Sequence, residues 1–217
     1  MEKRAKGHIK PTRSNSSNRW MHEHVTDPYV QQAKKLGYRS RATFKLLEID
    51  EKYKLLKAGM TVVDLGATPG GWSQIAAPKV GGAGMTVAID LIDMNPLPRV
   101  TFLLGDFTED AGLAALDTAL KGRVVDLVLS DMAPNMSGIP VSDAAKIMYL
   151  CELALEFCVT HLKPNGDFLV KSFQGVGFTE YLQAMRKVFT KVHSLKPEAS
   201  RNRSAEIYLL GKGKKAV

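Results

Sequence analysis

A glycine-rich turn directly after an apolar segment is the feature that most restricts the fold and the ligand site of this chain. Residues 61–74 read Thr-Val-Val-Asp-Leu-Gly-Ala-Thr-Pro-Gly-Gly-Trp-Ser-Gln, so β-forming side chains lead to Asp64, then to glycines and a helix start. This order predicts a strand, a turn and a helix, with a ligand site at the carboxyl end of the strand. The turn lacks the Gly-Lys-Ser/Thr ending of a phosphate-binding loop and the G-x-G-x-x-G spacing of a dinucleotide site. Both of those sites are therefore disfavoured.

The remainder of the sequence predicts an α/β fold with a doubly wound, mostly parallel sheet. Near-continuous apolar runs such as residues 124–130 are typical of parallel strands covered on both faces. The last two predicted strands have no helix between them, which favours an antiparallel pair at one edge. The predicted strands are 61–65, 85–90, 100–104, 124–130, 167–172, 191–196 and 205–210. The predicted helices are 72–79, 109–120, 142–162 and 178–189, the third of them ended by Pro164-Asn165-Gly166.

The chain length of 217 residues suits one domain with a sizeable core. Two further helices are predicted before the first strand, one beginning at Asp27-Pro28 and one after Ser40. The N-terminal tail is basic and poor in apolar residues, so we expect it to be disordered. The predicted parts are a tail in 1–18, a domain in 19–211 (basic helices in 19–57, α/β core in 58–211) and a basic C-terminal tail in 212–217.

Several features indicate a cytoplasmic, metal-free protein, which we expect to be a monomer. No apolar run approaches the length of a membrane span, and no secretory signal is visible. The N-terminal tail shares the basic character of a mitochondrial transit peptide but lacks an apolar face. Cys151 and Cys158 are spaced to share one buried helix face, which disfavours a disulfide or a cysteine metal site. The five histidines show no zinc spacing.

Charge is segregated along the chain. The net charge is +8 over residues 1–57, −7 over residues 58–185 and +7 over residues 186–217. A surface that serves only solubility would intersperse the two signs, whereas basic ends around an acidic middle favour a polyanionic partner.

Three carboxylates follow successive predicted strands, where parallel strands present a ligand site. Asp64 ends the first strand, Asp90 ends the second, and Asp106 follows the third. We expect Asp64 to orient the turn or take an ammonium group, Asp90 to hold ribose hydroxyls, and Asp106 to accept from an adenine amino group. An adenosine-bearing ligand with an anionic end fits this set, and S-adenosylmethionine is the cofactor we predict.

The turn itself supplies the other predicted cofactor contacts. Glycines let the backbone approach a ligand without Cβ interference. Free N–H groups at the following helix start favour a carboxylate. A tryptophan beside the glycines is expected to pack against the ligand. These residues are Gly66, Gly70, Gly71 and Trp72.

Two charged residues end later strands. Asp131 ends the fourth strand, and Lys171 ends the fifth in a very apolar setting. Lysines are rarely buried without a partner. Lys171 is thus either a functional group or a side chain that reaches from the strand end to water. Glu206 in the last strand and Lys45 in an N-terminal helix are unremarkable individually.

Five motifs stand in order along the chain, at residues 40–46, 64–73, 130–135, 170–173 and 201–206, with two shorter features at 17–20 and 27–30. The five motifs resemble, in the same order, those of the FtsJ/RrmJ (RlmE) family of ribosomal RNA 2′-O-methyltransferases, and the two shorter features match its bacterial branch. The similarity spans roughly residues 14 to 211. One departure is Thr68, where the family pattern usually has alanine; threonine is compact and should not obstruct a ligand.

This resemblance implies a Rossmann-like S-adenosylmethionine-dependent methyltransferase fold, with a seven-stranded sheet and an antiparallel edge strand. It places a catalytic tetrad on Lys45, Asp131, Lys171 and Glu206, with Lys171 as the general base and Asp131 also near the cofactor. The implied reaction transfers a methyl group to a uridine ribose 2′-OH of large-subunit rRNA. The implied partner is the assembled or nearly assembled 50S subunit.

Two basic patches are predicted to contact RNA phosphates at the mouth of such a site, with strong salt dependence. A solvated charged face is the ordinary alternative for Lys34 and Lys35. The patches are Lys34, Lys35, Arg39 and Arg41 near the N-terminus, and Arg201 and Arg203 in the final loop.

Two alternative functions keep part of this interpretation. The same tetrad would serve a 2′-O-methyltransferase of tRNA or of an mRNA cap, although the bacterial N-terminal motifs argue against it. A ribosome-assembly factor with a regulatory cofactor site is the alternative outside enzymology.

Overall fold

The computed structural model describes residues 25–201 and 204–216. One seven-stranded sheet carries an apolar cluster with helices on each face. This confirms the predicted α/β, doubly wound fold. The predicted N-terminal tail and the motif at residues 17–20 lie outside the described residues.

Thirteen elements build this fold within the described residues. The helices are α1 (Pro28–Leu36), α2 (Ala42–Tyr53), α3 (Ser73–Val80), α4 (Asp110–Leu120), α5 (Pro140–His161) and α6 (Phe178–Val188). The strands are β1 (Thr61–Leu65), β2 (Met85–Asp90), β3 (Val100–Leu104), β4 (Val125–Ser130), β5 (Leu162–Phe173), β6 (Phe189–Leu195) and β7 (Glu206–Lys214).

The strand order places a crevice between β1 and β4. The sheet runs β3-β2-β1-β4-β5-β7-β6, and the strands from β3 to β5 are parallel. The order reverses direction at β1, where β2 lies on one side and β4 on the other. Ligands bind at such a switch point, beyond the carboxyl ends of the strands. Leu65 and Ser130 are paired at those ends, so the residues that follow them meet there.

The predicted antiparallel pairing occurs at one end of the sheet, where the antiparallel strand β7 lies one position inside the edge. β7 pairs antiparallel with both β5 and β6, and β6 forms the edge. Burial explains this order, because Ile207–Gly211 are fully buried, whereas most of β6 is exposed or half-buried. The predicted location of the antiparallel pair at one end of the sheet is confirmed. β7 also extends to Lys214, so residues 212–214 belong to the sheet rather than to a tail.

The Pro164-Asn165-Gly166 turn does not separate helix from strand as predicted. α5 ends at His161 and β5 begins at the next residue. The three residues lie within β5, where the register with β4 shifts between Val125 and Leu127. Asn165 takes a positive φ of 62°, a conformation that asparagine tolerates better than most residues. The turn signal therefore marks a bulge.

The two apolar clusters anchor different helices to the sheet. One packs α4, α5 and α6 against one face and includes both cysteines, Cys151 and Cys158, which are free and buried on the same side of α5 as predicted. The other packs α2 and α3 against the opposite face, through side chains such as Leu46 and Ile75. α1 begins at Asp27, whose carboxylate accepts from the Tyr29 N–H at 3.0 Å. Among the helices of residues 25–201 and 204–216, none is long and apolar enough to cross a membrane.

Candidate active site

The glycine turn after β1 is pressed against the segment after β4. Gly66 has a φ of +74°, and its N–H donates to Ile89 O of β2 at 3.0 Å. A Cβ on Gly66 would lie 2.9 Å from the Met132 Cα. Asp131 N donates to Leu65 O at 3.2 Å, so the β1 turn and the β4 loop are one packed unit. Only glycine combines that φ with so close an approach.

Asp64 lies under this turn and is fully buried. Its Oδ2 accepts from the Ser73 hydroxyl at 2.7 Å, which ties the end of β1 to the start of α3. Its Oδ1 is buried without a hydrogen-bond partner among the described residues. Burial is the main cause that raises the pKa of Asp64 from 3.8 to about 7, and the negative charge of Asp131 adds to it. The contact with Ser73 fits the predicted role of Asp64 in orienting the turn.

The raised pKa makes stability depend on pH in a defined direction. The folded protein binds the Asp64 proton more tightly than the unfolded chain, so its contribution is fully present below pH 3.8 and lost as pH rises through 7. A shift of this size corresponds to about 4 kcal/mol. We expect the difference in unfolding free energy between wild type and Asp64→Asn to change in the variant's favour from pH 5 to pH 7.5. Urea unfolding of the ligand-free wild type and variant at both pH values measures this difference. A difference that does not change with pH would contradict the raised pKa of Asp64.

A cavity of about 600 Å³ opens at the carboxyl ends of β1, β2, β3 and β4. Asp90, Asp106 and Asp131 all line it, together with Gly66. Asp90 also accepts from Thr68 N at 2.8 Å and Ile92 N at 2.9 Å, which holds the two loops around the cavity. The cavity therefore has acidic groups on three sides.

This cavity fits the predicted S-adenosylmethionine. Carboxylates suit the hydroxyl, amino and cationic groups of that molecule. Asp106 uses Oδ1 for the Thr108 N–H and hydroxyl, at 2.8 and 2.7 Å. Gly66 keeps the β1 turn close to Met132, and both residues line the cavity. Within residues 25–201 and 204–216, no group of three His, Cys, Asp or Glu side chains could hold a metal ion.

The other turn residues lie at the helix start rather than on the cavity wall. The Trp72 indole is buried among α2 and α3 side chains and donates to Ala42 O at 2.8 Å. Packing of that ring against a ligand is therefore not supported, because the ring is occupied elsewhere. A Cβ on Gly71 would lie 2.4 Å from Ser40 Oγ, and one on Gly70 would lie 2.9 Å from Leu97 Cδ1. Both glycines permit close approach of other parts of the protein.

Lys171 and Asp131 meet at the bottom of the crevice. The Lys171 ammonium donates to the Asp131 main-chain oxygen at 2.6 Å and lies 3.0 Å from its Oδ1. Lys171 is 9% exposed, so it does not reach out to water from its strand end. A buried lysine that touches a carboxylate lining a cavity is an arrangement typical of functional sites.

The other two tetrad residues form a second ion pair. Lys45, in α2, donates to Glu206 Oε1 at 2.6 Å. The same oxygen accepts from the Ser200 hydroxyl at 2.9 Å. Lys45 is 8% exposed, so this pair also lies largely away from water.

Tyr208 joins the two ion pairs, a role that was not predicted from the sequence. Its hydroxyl accepts from Lys45 Nζ at 3.2 Å and donates to Asp131 Oδ1 at 3.0 Å. Tyr208 lies opposite Lys171 on the neighbouring strand. Burial, and then the charges of Asp131 and Glu206, raise the pKa of Tyr208 well above its usual value, so the hydroxyl keeps its proton. All four tetrad residues thus belong to one hydrogen-bonded network through a tyrosine.

The predicted RNA-contacting residues divide into internal and exposed groups. Arg39 donates to the main-chain oxygens of Pro69, Asn95 and Pro96, at 3.1, 2.6 and 2.8 Å. Its guanidinium therefore holds loops around the crevice, which leaves it few donors for phosphate. Lys34 and Lys35 are exposed in the last turn of α1.

The second arginine group is organised around Asp27. Arg41 bonds to the Asp27 carboxylate and to Ala199 O, and Arg201 lies 3.5 Å from the same carboxylate. These contacts attach the loop before β7 to the start of α1. Arg41 is therefore structural rather than a free phosphate contact, while Arg201 is half-buried at the surface. Arg203 lies outside the described residues.

Comparison with protein families matches residues 38–214 to the family described as FtsJ-like methyltransferase. The chain is 58% identical over 199 residues to Ribosomal RNA large subunit methyltransferase E of Azoarcus sp. (strain BH72), covering 92% of this chain and 97% of the relative. It is 57% identical over 203 residues to the protein of the same name from Chromobacterium violaceum, covering 94% and 99%. The protein of that name from Pseudomonas fluorescens (strain Pf0-1) is 56% identical over 201 residues, covering 93% and 96%.

A solved structure shares the fold. The crystal structure of a ribosomal RNA methyltransferase from Plasmodium falciparum superposes with a TM-score of 0.73 at 28% sequence identity. The match covers 83% of this chain and all of that one.

Proposed function

We propose that this chain, which belongs to the FtsJ-like methyltransferase family and uses S-adenosylmethionine, methylates a uridine ribose 2′-OH in large-subunit ribosomal RNA. The relatives at 56–58% identity carry the name Ribosomal RNA large subunit methyltransferase E, which supports this choice of RNA. We further propose the cytoplasm as the place of reaction and the assembled or late-assembling subunit as the substrate.

The observation that carries the proposed chemistry is the contact between Lys171 and Asp131 on the wall of the cofactor cavity. When bound, S-adenosylmethionine supplies a methyl group on a cationic sulfur. The amine of Lys171 would accept the proton of the ribose 2′-OH, so that the hydroxyl oxygen could take the methyl group, with S-adenosylhomocysteine as the other product. Asp131 orients Lys171 and stabilises the ammonium that forms. The amine must release its proton before the next cycle.

The Lys45–Glu206 pair supports this step from the other side. Lys45 places a second positive charge in the same network through its bonds to Glu206 and Tyr208. Glu206 compensates that charge, so Lys45 remains in place. We propose that this pair positions the network rather than exchanging protons with RNA. The contribution of these residues to the rate would be to hold the ribose hydroxyl in line with the methyl donor.

Labelled S-adenosylmethionine tests the substrate assignment directly. The protein is incubated with naked large-subunit rRNA, with tRNA, and with large subunits from a strain that lacks it. We expect label in the subunits, released as 2′-O-methyluridine after nuclease digestion. Label in tRNA alone would support the tRNA alternative and overturn this proposal. No label in any RNA, with RNA binding retained, would instead support an assembly factor.

Exposed lysines provide the expected contact with RNA phosphates. Lys34 and Lys35 lie in the last turn of α1 without the internal partners that occupy Arg39 and Arg41 in the described structure. Contacts of this kind give salt-dependent affinity and little sequence reading. Base recognition must therefore come from elsewhere on the protein.

Replacing Tyr208 by phenylalanine should weaken catalysis while preserving the fold. The ring that packs 5.8 Å from Trp72 remains, but the hydroxyl joining Lys45 to Asp131 is lost. Loss of hydrogen bonds to charged groups predicts a fall in kcat of about tenfold or more. The pH profile of kcat should also shift, because Asp131 and Lys45 lose the hydroxyl that joins them.

Tyr181→Phe is the matched control, since Tyr181 is also buried and its hydroxyl donates to Cys151 O at 3.0 Å. We expect it to lower stability with no change in the pH profile. Identical pH profiles for Tyr208→Phe and wild type would show that the hydroxyl is structural only.

A further inference from the structure

A second cavity of about 300 Å³ opens beside the tetrad, on the other side of the loop that follows β4. Loop residues 132–135 line the cofactor cavity, whereas Met136 and Gly138 line the second cavity. α5 divides in the same way, with Tyr149 facing the first cavity and Met148 facing the second. One loop and one helix thus form a wall between the two.

The second cavity is next to the proposed base. Phe173 and Gln174 line it and follow Lys171 by two and three residues along the chain. Two residues of strand span about 7 Å. A ribose that presents its 2′-OH to Lys171 would therefore carry its nucleobase within reach of this cavity.

The lining suits an uncharged, flat group rather than a phosphate. Its walls include Met136, Ile147, Met148 and Phe173, and no lysine or arginine of residues 25–201 and 204–216 lines it. Within that described lining, Asp143 is the only charged residue. Its oxygens accept from Ser137 N and hydroxyl, both at 2.7 Å, and from Gly138 N at 2.9 Å.

Asp143 also fixes the loop that forms one wall of the cavity, so this wall exists before a ligand binds. These three hydrogen bonds hold the loop between Met136 and Gly138 against the first turn of α5. The bonds from Ser137 hold the pKa of Asp143 below its usual value, so the carboxylate stays charged and keeps the contacts. A preformed wall lowers the ordering cost of binding.

We propose that this cavity receives the pyrimidine base of the acceptor nucleotide, turned out of its stack. The proposal rests on the proposed function and adds a specificity site to it. Proteins that act on single nucleotides of RNA hold the splayed base by stacking and by hydrogen bonds to its edge. Phe173 supplies the ring for stacking, and the exposed Gln174 amide supplies a donor and an acceptor for the edge.

Two substitutions test the site, one at a partly buried residue and one at an exposed residue. Phe173→Leu removes the stacking ring while keeping most of the volume, and Gln174→Ala changes an exposed side chain that folding does not require. Phe178→Leu, at a nearby phenylalanine that does not line the cavity, is the matched control. Steady-state kinetics are measured on large subunits from the deletion strain, varying subunits and S-adenosylmethionine separately, with cofactor binding measured by calorimetry.

We expect KM for the subunits to rise about tenfold or more in Phe173→Leu and by a smaller factor in Gln174→Ala. Cofactor affinity and the Phe178→Leu control should stay at wild-type values. A wild-type KM for subunits in both variants would overturn the base site while leaving the methyltransferase proposal intact. Equal losses of cofactor and subunit affinity would also overturn it, because the cavity would then belong to the cofactor site. Failure of the wild-type protein to methylate any RNA would refute the proposed function instead.

Discussion

Lys171→Ala is expected to bind S-adenosylmethionine almost as wild type does and to lose methyl transfer to RNA. Removal of a positioned general base costs about 10²- to 10⁴-fold in rate. Cofactor affinity should persist because Lys171 contacts Asp131 but does not line the cofactor cavity. Calorimetry with the cofactor and single-turnover methylation of large subunits measure the two effects separately.

Lys171→Arg separates a general base from a positive charge that only steers RNA, and Lys163→Ala is the control. Arginine keeps the positive charge but cannot act as a base, so we expect it to be as inactive as alanine. Partial activity in Lys171→Arg would favour a lysine that only steers RNA. Lys163 pairs with Asp126 at the far end of the sheet, and its removal should leave the rate unchanged. A wild-type rate in Lys171→Ala would refute the assignment of the base.

Gly66→Ala is expected to damage both stability and cofactor binding. The alanine Cβ would meet the Met132 Cα at 2.9 Å, and φ would remain at +74°. Left-handed strain costs about 1 kcal/mol and the clash about another 1–3 kcal/mol. Because Gly66 and Met132 both line the cofactor cavity, we expect cofactor affinity to fall about tenfold or more. Denaturant unfolding and calorimetry measure these losses.

Gly37→Ala isolates the conformational part of that cost. Gly37 ends α1 with a φ of +72°, and a Cβ there would meet nothing within 4 Å. It should therefore lose about 1 kcal/mol of stability and keep its cofactor affinity. If Gly66→Ala and Gly37→Ala lowered stability and cofactor affinity equally, the close approach of Gly66 to Met132 would contribute to neither.

Local patterns predicted the parts of this protein that depend on neighbouring residues in sequence. The β1 strand and its turn, the parallel core and the buried face shared by Cys151 and Cys158 follow from apolar periodicity and glycine placement. The family resemblance and the cofactor prediction are confirmed by the match over residues 38–214. The tetrad assignment remains a prediction, although the structure brings its four residues together.

Features that depend on distant partners were missed. Tyr208 looks like any apolar residue of a buried strand, and only the approach of Lys45 and Asp131 gives its hydroxyl a role. Arg39 and Arg41 look like surface cations, yet their guanidinium groups bind main-chain oxygens and a carboxylate. Sequence shows that a charge exists but does not show which groups fold against it.

Strand pairing and burial decide two further features that local patterns leave open. A Pro-Asn-Gly sequence ends a helix or bulges a strand with equal ease, and in residues 164–166 the pairing of β5 with β4 decides for the bulge. The order of the last two strands likewise depends on which of them is the more buried. Burial placed β7 inside and left β6 at the edge.

The interior position of β7 has a consequence for how the protein becomes active. β7 is made after β6, yet β6 joins the described sheet through β7 alone. The ion pair between Lys45 and Glu206 spans 161 residues, and contacts of such separation carry a large loop-closure cost and form late. The described residues that line the cofactor cavity all precede β5, whereas Glu206 and Tyr208 belong to the last strand. We therefore expect a chain made as far as β5 to contain its whole cofactor cavity before the contacts of Lys45 with Tyr208 and Glu206 can form.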